Sequence, residues 1–292
     1  MLHTLQSNIL KITLEERGAE LKSITELEDG TEYLHDSNPT WWKYSSPVLF
    51  PIVGKLVDGK YRAEGQEFEL PQHGFARTSN FKCVHEQEDE VTFQLKWDED
   101  TLEVYPYKFI LEIAYVLHEN RVEILWTVKN VDDKEMYFSI GAHPALKCPI
   151  VAGENFEDCY LKFNVAEDSA RILLLPSGVL SHEKVPTLSG KEFDLNYDIF
   201  KGDALIFDDL KSDAISICSR KSSKSITLMA KGFPFWGIWT PSKGGAPFIC
   251  IEPWLGHADF ADFNGDISEK DGIRKLSPEQ TFDAGYALVI NE

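Results

Sequence analysis

Two neighbouring segments with alternating apolar residues constrain the fold most strongly. The first carries Phe109, Leu111, Ile113, Tyr115 and Leu117, and the second carries Val122, Ile124, Trp126 and Val128. Because successive side chains of a β-strand point to opposite sides, each set shares one face of its strand. The polar residues 118–120 between them are typical of a hairpin loop. The two segments therefore predict a pair of antiparallel strands with one buried face.

Strand patterns dominate the rest of the chain as well. Residues 9–14 and 90–97 alternate or run apolar, and a second hairpin is expected at Glu64-Gly65. Helical signals are few, and the clearest is at residues 98–105, which begin with acidic residues and are followed by Pro106. We find no linker rich in Gly, Ser or Pro. We therefore predict one domain over residues 1–292, an all-β fold built as a large antiparallel β-sandwich with few short helices.

The charge balance limits the possible partners. The 292 residues contain 29 Lys and Arg against 48 Asp and Glu, a formal net charge of −19. Such a charge repels nucleic acids and anionic membrane surfaces, so we expect neither as a partner.

The N-terminal residues, the apolar segments and the cysteines indicate the compartment of the protein. The first residues lack a basic segment followed by an apolar one, and the most apolar window, residues 47–53, is too short to span a bilayer. We therefore expect a cytoplasmic protein. The five cysteines never form a C-x-x-C pair, which argues against a disulfide framework and against a zinc ribbon.

Three short segments place a proton-handling side chain beside Gly or Pro. They are residues 72–77 with His73 and Arg77, residues 141–144 with His143, and residues 251–254 with Glu252. Glu252 stands in the otherwise apolar run 247–254, where a carboxylate must be paired, hydrogen-bonded or used. Two histidines and a glutamate form a plausible acid/base set. No serine lies in a G-x-S-x-G turn, so a serine nucleophile has little support.

Taken in order, these segments resemble the aldose 1-epimerase (galactose mutarotase) family, in the divergent branch encoded beside lactose-utilisation genes. The similarity extends from residues 18–21 through residues 50–56 and the three segments above to the C-terminal strand near Ile290. It implies a galactose mutarotase-like β-supersandwich whose cleft holds a small sugar, with no metal and no organic cofactor. The resemblance leaves monomer and homodimer open.

The resemblance also implies roles for individual residues. In this family a glutamate removes the proton of the anomeric hydroxyl while a histidine protonates the ring oxygen. Carried over by motif, Glu252 is the expected base, His143 the expected acid and His73 a second histidine that binds and polarises the sugar. We expect Glu252 and His143 to face each other with room for C1 and O5 of a pyranose between them.

Further binding residues follow less directly from the resemblance. A family aspartate that binds sugar hydroxyls is closest in context to Asp208, with Asp209 as the alternative, and Lys55 stands where the family has an arginine near the ring. Arg77 is expected to take part of that arginine's role. Among the tryptophans near Glu252 in the sequence, Trp236, Trp239 and Trp254, we place Trp236 in the site as a surface for the sugar ring.

The sequence favours an isomerase that interconverts the anomers of a free aldose such as galactose or glucose. The net charge of −19 and the expected cleft carboxylates argue for a neutral sugar over its 6-phosphate. A mutarotase for a phosphorylated hexose, with Arg77, Lys55 and Lys60 as its anion site, is the first alternative. A non-catalytic sugar-binding protein of the same fold is the second.

Overall fold

Strands dominate the computed structural model, which describes residues 1–291. The strands within this range are β1 (Leu2–Gln6), β2 (Leu10–Glu15), β3 (Glu20–Glu26), β4 (Val48–Leu49), β5 (Lys60–Ala63), β6 (Gln66–Glu69), β7 (Lys82–Glu86), β8 (Glu90–Lys96), β9 (Phe109–His118), β10 (Arg121–Asn130), β11 (Met136–Phe138), β12 (Ile140–Ala142), β13 (Ala145–Lys147), β14 (Cys159–Leu174), β15 (Leu180–Asp194), β16 (Leu205–Phe207), β17 (Ala214–Ser219), β18 (Ser225–Met229), β19 (Phe235–Trp239), β20 (Phe248–Leu255), β21 (Arg274–Leu276) and β22 (Thr281–Asn291). The helices in the same range are α1 (Glu99–Val104) and short 3₁₀ turns at Val57–Gly59, Ala76–Thr78, Phe156–Asp158, Tyr197–Gly202 and Ile267–Glu269. The prediction of an all-β fold with few short helices is confirmed.

One sheet of 15 strands organises the molecule. Its strands follow the order β4-β12-β20-β19-β16-β14-β17-β18-β22-β10-β9-β8-β7, with β13 also paired to β20 and β15 to β14. Three smaller sheets are formed by β1-β2-β3, by β11-β21 and by β5-β6. The large sheet is antiparallel throughout its described pairs.

The predicted hairpin is formed by β9 and β10. Leu117 pairs with Val122, and the turn between the strands consists of Glu119, which has φ +49°, and Asn120. Every apolar residue of the two predicted sets is buried in the main core. The helix predicted at residues 98–105 is α1, and the Asp98 side chain caps it by accepting from the Thr101 amide. The hairpin at Glu64-Gly65 joins β5 to β6.

Strand β20 positions the functional site because both of its faces are buried. Ile249, Ile251 and Leu255 point into the main core. The alternate residues Phe248, Cys250, Glu252 and Trp254 point to the opposite side, into two smaller clusters and a cleft. The continuous apolar run around Glu252 is therefore a central strand covered on both sides.

Within residues 1–291 we find no helix with the length and apolar character needed to cross a membrane.

Candidate active site

A cleft with a volume of about 690 Å³ lies over the Glu252 face of β20. Glu252 and Trp254 belong to its floor, and its walls come from loops that carry residues 40–44, 54–55, 72–77, 176–178 and 241–243. Five of the residues predicted from the sequence line this cleft, namely Glu252, His143, His73, Arg77 and Lys55.

Sheet register places His143 beside Glu252. Gly141 pairs with Trp254 and Ala145 pairs with Cys250, so His143 lies opposite Glu252 between the two paired positions. His143 Nε2 is 3.1 Å from Glu252 Oε2. The side chains are thus in contact, so the space for C1 and O5 of a pyranose that the sequence led us to expect between them is absent.

Two glycines make room for Trp254 on the cleft floor. A Cβ atom at Gly237 would lie 2.5 Å from Trp254 Cζ2, and one at Gly141 would lie 2.7 Å from Trp254 Cδ1. Both distances are far below van der Waals contact, so the indole occupies space that any side chain on the neighbouring strands would fill. The glycines of β12 and β19 therefore allow a flat aromatic ring to lie next to Glu252.

Burial controls the protonation of the pair. It raises the pKa of Glu252 well above its ordinary value, and the nearby Asp203 carboxylate raises it further. Burial, together with the positive charge of Arg77, lowers the pKa of His143 to about 3. These shifts favour a protonated Glu252 beside a neutral His143.

This neutral pair holds the same number of protons as the alternative of Glu252 carboxylate with His143 imidazolium. The two forms differ only in whether one proton lies on the Glu252 carboxyl or on the His143 ring, whose Nε2 is 3.1 Å from Glu252 Oε2. The contact is not aligned as a hydrogen bond, and Glu252 Oε2, His143 Nδ1 and Trp254 Nε1 have no hydrogen-bond partner among residues 1–291. Three unpartnered polar atoms on one floor are typical of a site that binds a polar ligand.

His73 is fixed in a different role. The Gly54 amide donates to His73 Nδ1 at 3.0 Å, so the neutral ring carries its proton on Nε2 and acts as a donor. Burial, with the charges of His143 and Arg77, lowers the pKa of His73 well below its ordinary value. His73 has φ +68°, and the next residue, Gly74, packs so closely on Phe50 that a Cβ would lie 2.3 Å from its carbonyl oxygen.

Aromatic rings surround His143, and one of them comes from an unexpected loop. Trp42 stacks on the imidazole with ring centroids 4.5 Å apart, and Trp239 meets it edge to face at 5.7 Å. The sequence did not lead us to predict Trp42 as a residue of the site. The only signal for it was the aromatic run of residues 41–44 between two prolines.

Asp208 and Trp236 do not line the cleft. Asp208 forms an ion pair with Lys184, and its alternative Asp209 accepts a hydrogen bond from Ser169. Trp236 is 1% exposed and packs in the main core. The reason is strand parity, since Gly237 pairs with Glu252 and Trp236 therefore faces the opposite side of the sheet.

The acidic residue that the structure brings to the cleft is Asp203, which the sequence did not indicate. It precedes β16 with φ +76° and ψ −154°, a backbone region that normally only glycine adopts. Its Oδ1 accepts from the Ala204 amide at 2.8 Å, which leaves the other carboxylate oxygen free for a ligand. Strain of this kind is concentrated at functional sites.

Three possible metal-ligand atoms lie close together at the same floor. His143, Cys250 and Glu252 place one possible ligand atom each within 4.8 Å of one another. Burial raises the pKa of the Cys250 thiol well above its ordinary value, which opposes the thiolate that a metal would need. A second such group, His3, Cys83 and Glu86, lies on other strands away from the cleft.

Residues 1–271 match the family model described as aldose 1-epimerase. The chain belongs to the aldose 1-epimerase family. Two curated relatives from Lactococcus lactis subsp. lactis, named "Protein LacX, chromosomal" and "Protein LacX, plasmid", are each 33% identical over 295 residues and cover 98% of both chains.

Solved structures support the same assignment. A galactose mutarotase related enzyme from Lactobacillus acidophilus is 34% identical with a TM-score of 0.94, covering 100% of this chain and 98% of the other. A galactose mutarotase-like protein from Lactobacillus casei ATCC 334 is 29% identical, also with a TM-score of 0.94, and both chains are covered completely. The predicted family and the galactose mutarotase-like β-sandwich are therefore confirmed.

Proposed function

We propose that this aldose 1-epimerase family member interconverts the α and β anomers of an aldose pyranose by acid/base ring opening. The observation that carries the proposal is the contact between His143 and Glu252 on the floor of one cleft. A base and an acid that act on two atoms of one hemiacetal, O1 and O5, must lie side by side.

Each group has one task in this mechanism. The Glu252 carboxylate takes the proton of the anomeric hydroxyl while the His143 imidazolium gives its proton to the ring oxygen, and the C1–O5 bond breaks. Rotation about C1–C2 exposes the other face of the aldehyde. Closure reverses both proton transfers, so the pair returns to its starting state and the net proton count is unchanged.

Neighbouring residues bind and orient the sugar. His73 donates from Nε2 to a sugar oxygen, and Asp203 accepts from sugar hydroxyls with its free carboxylate oxygen. The rings of Trp42, Trp239 and Trp254 offer apolar surfaces to the C–H face of the pyranose. Asp208 and Trp236 have no role in this mechanism, because neither lines the cleft.

The decisive variant is Glu252→Gln, which keeps the shape of the side chain and removes the base. A positioned base contributes about 10²–10⁴-fold, so anomer exchange measured by polarimetry should fall by at least about 100-fold. Glu88→Gln is the matched control, since Glu88 is exposed and lies far from the cleft in the β7–β8 turn. Near-normal turnover in Glu252→Gln would mean that another group is the base.

The same assay separates an enzyme from a sugar-binding protein. If the unmodified protein binds aldoses in calorimetry but accelerates exchange for none of them, the fold is used for binding alone.

A further inference from the structure

Four basic side chains line the cleft, in a protein whose net charge is −19. They are Lys43, Lys55, Arg77 and Lys243, and two carboxylates, Asp203 and Glu252, share the lining with them. In the part of the chain that the structure describes, none of the four cations forms an ion pair. The cleft therefore carries a local excess of positive charge.

Arg77 is the most informative of the four. Its guanidinium is partly buried, donates from Nη2 to the Gln72 carbonyl at 2.7 Å and lies 5.1 Å from the centre of the Tyr44 ring. Burial lowers the pKa of Arg77, which shows that its charge is poorly solvated. A desolvated cation without a counter-ion is unfavourable, and most of the donor fork remains available for a ligand.

A second cation lies against the same aromatic ring. Lys43 Nζ is 5.4 Å from the centre of the Tyr44 ring, so both Lys43 and Arg77 lie close to this ring. On another part of the wall, Lys55 Nζ donates to the Ser177 carbonyl at 2.6 Å and its aliphatic chain packs on Gly178. That neutral partner fixes the Lys55 ammonium without neutralising it. Lys243 adds an exposed charge at the rim.

We infer that the cleft selects an aldose that carries an anionic group, a phosphate or a carboxylate, bound by Arg77 with Lys43 and Lys55. The inference rests on the proposed function and names the substrate class of that site. It replaces our expectation of a neutral sugar, which was drawn from the net charge and from the expected cleft carboxylates. Surface carboxylates beyond about 8 Å are largely screened at physiological ionic strength, whereas the cations that line the cleft contact the ligand directly.

Anomer-exchange kinetics over matched sugars test the inference. Glucose and galactose are compared with their 6-phosphates and with glucuronate and galacturonate. We expect kcat/KM for one anionic series to exceed that of the neutral sugars by about 10–100-fold, the value of a charge-assisted bidentate contact. Whether the 6-phosphates or the uronates give the advantage identifies the anionic group.

Variants of Arg77 tie the effect to the site. Arg77→Met should reduce the anionic-to-neutral ratio of kcat/KM by about 10–100-fold, and Arg77→Lys should recover part of it. Lys60→Met is the control, because Lys60 is a surface lysine paired with Glu67 outside the cleft. Lys55→Met serves as the second variant if Arg77→Met does not fold. Added salt should lower the anionic advantage of the unmodified protein.

The outcomes separate this inference from the proposed function. Equal kcat/KM for neutral and anionic sugars, or an unchanged ratio in Arg77→Met, would overturn the inference and leave the proposed function standing. Exchange of none of the sugars would overturn the proposed function. Calorimetric binding of galactose and galactose 6-phosphate to Glu252→Gln would then decide the inference without turnover, since equal affinities would refute it and tighter binding of the phosphate would support it.

Discussion

Replacing Lys270 by methionine should destabilise the protein by about 3–5 kcal/mol, because it leaves the Asp259 carboxylate charged, buried and without its counter-ion. Both side chains are 2% exposed, and Lys270 Nζ lies 2.5 Å from Asp259 Oδ1. At an effective dielectric constant of 20, that separation corresponds to an attraction of about 7 kcal/mol. In the intact pair, the desolvation of the two charges offsets much of this attraction. Loss of Lys270 removes the attraction, whereas the desolvation cost of the buried Asp259 carboxylate remains.

The pair also supports the cleft. Asp259 Oδ2 accepts from the Val57 amide at 2.9 Å, and the Asp259 amide donates to the Lys55 carbonyl at 2.9 Å. These bonds hold the loop whose Gly54 amide donates to His73. We therefore expect Lys270→Met to weaken substrate binding as well as stability.

Urea unfolding followed by tryptophan fluorescence measures the free energy of unfolding, and steady-state polarimetry measures KM. Lys275→Met is the control, because the Lys275–Glu135 pair is exposed and solvent screens its attraction. The double variant Lys270→Met with Asp259→Asn should be more stable than Lys270→Met alone. The reasoning fails if the free energy of unfolding of Lys270→Met lies within about 1 kcal/mol of that of the unmodified protein.

Three further predictions concern the cleft floor. His73→Asn should lower kcat/KM less than His143→Asn, because His73 is fixed as a neutral donor, and polarimetry showing the reverse order would exchange their roles. Gly237→Ala should cost about 1–3 kcal/mol in urea unfolding, since the new methyl group would lie 2.5 Å from the Trp254 ring, and an unchanged stability would mean that this ring moves freely. The pKa of the Glu252 carboxyl is higher in the folded protein than its ordinary value of 4.5, so the folded protein holds this proton more tightly than the unfolded chain does. The resulting stability is fully present below pH 4.5 and is lost as the pH rises through the raised pKa. The stability of Glu252→Gln relative to the unmodified protein should therefore increase with pH above about 4.5, and a pH-independent difference would contradict the raised pKa.

The parts of this fold that sequence reasoning predicted are those that local patterns determine. Alternation in β9 and β10 specifies a buried face because side chains on a strand repeat every two residues. Glu252 was found for a similar local reason, since a carboxylate in an apolar run is expensive unless it has a function or a partner.

The parts that were missed depend on pairing between distant segments. Trp236 and Trp239 are equally aromatic, and only the pairing of Gly237 with Glu252 decides that Trp239 faces the cleft. Asp203 and Asp208 lie at opposite ends of β16, and the sequence does not say which end opens to the sugar. Strand register and the order of strands in a sheet depend on contacts between residues far apart in the sequence, so local sequence patterns do not predict them.

The proton-transfer pair and the cations of the cleft belong to different parts of the architecture. Glu252 pairs with Gly237 in the large sheet and His143 lies between the paired strands β12 and β13, where opening requires disruption of several strands at once. Lys43, Lys55, Arg77 and Lys243 lie in connecting segments outside the strands. If the proposed function holds, we expect substitutions in those segments to change which sugars bind without moving His143 and Glu252. The scaffold can therefore diversify in substrate range while its chemistry stays the same.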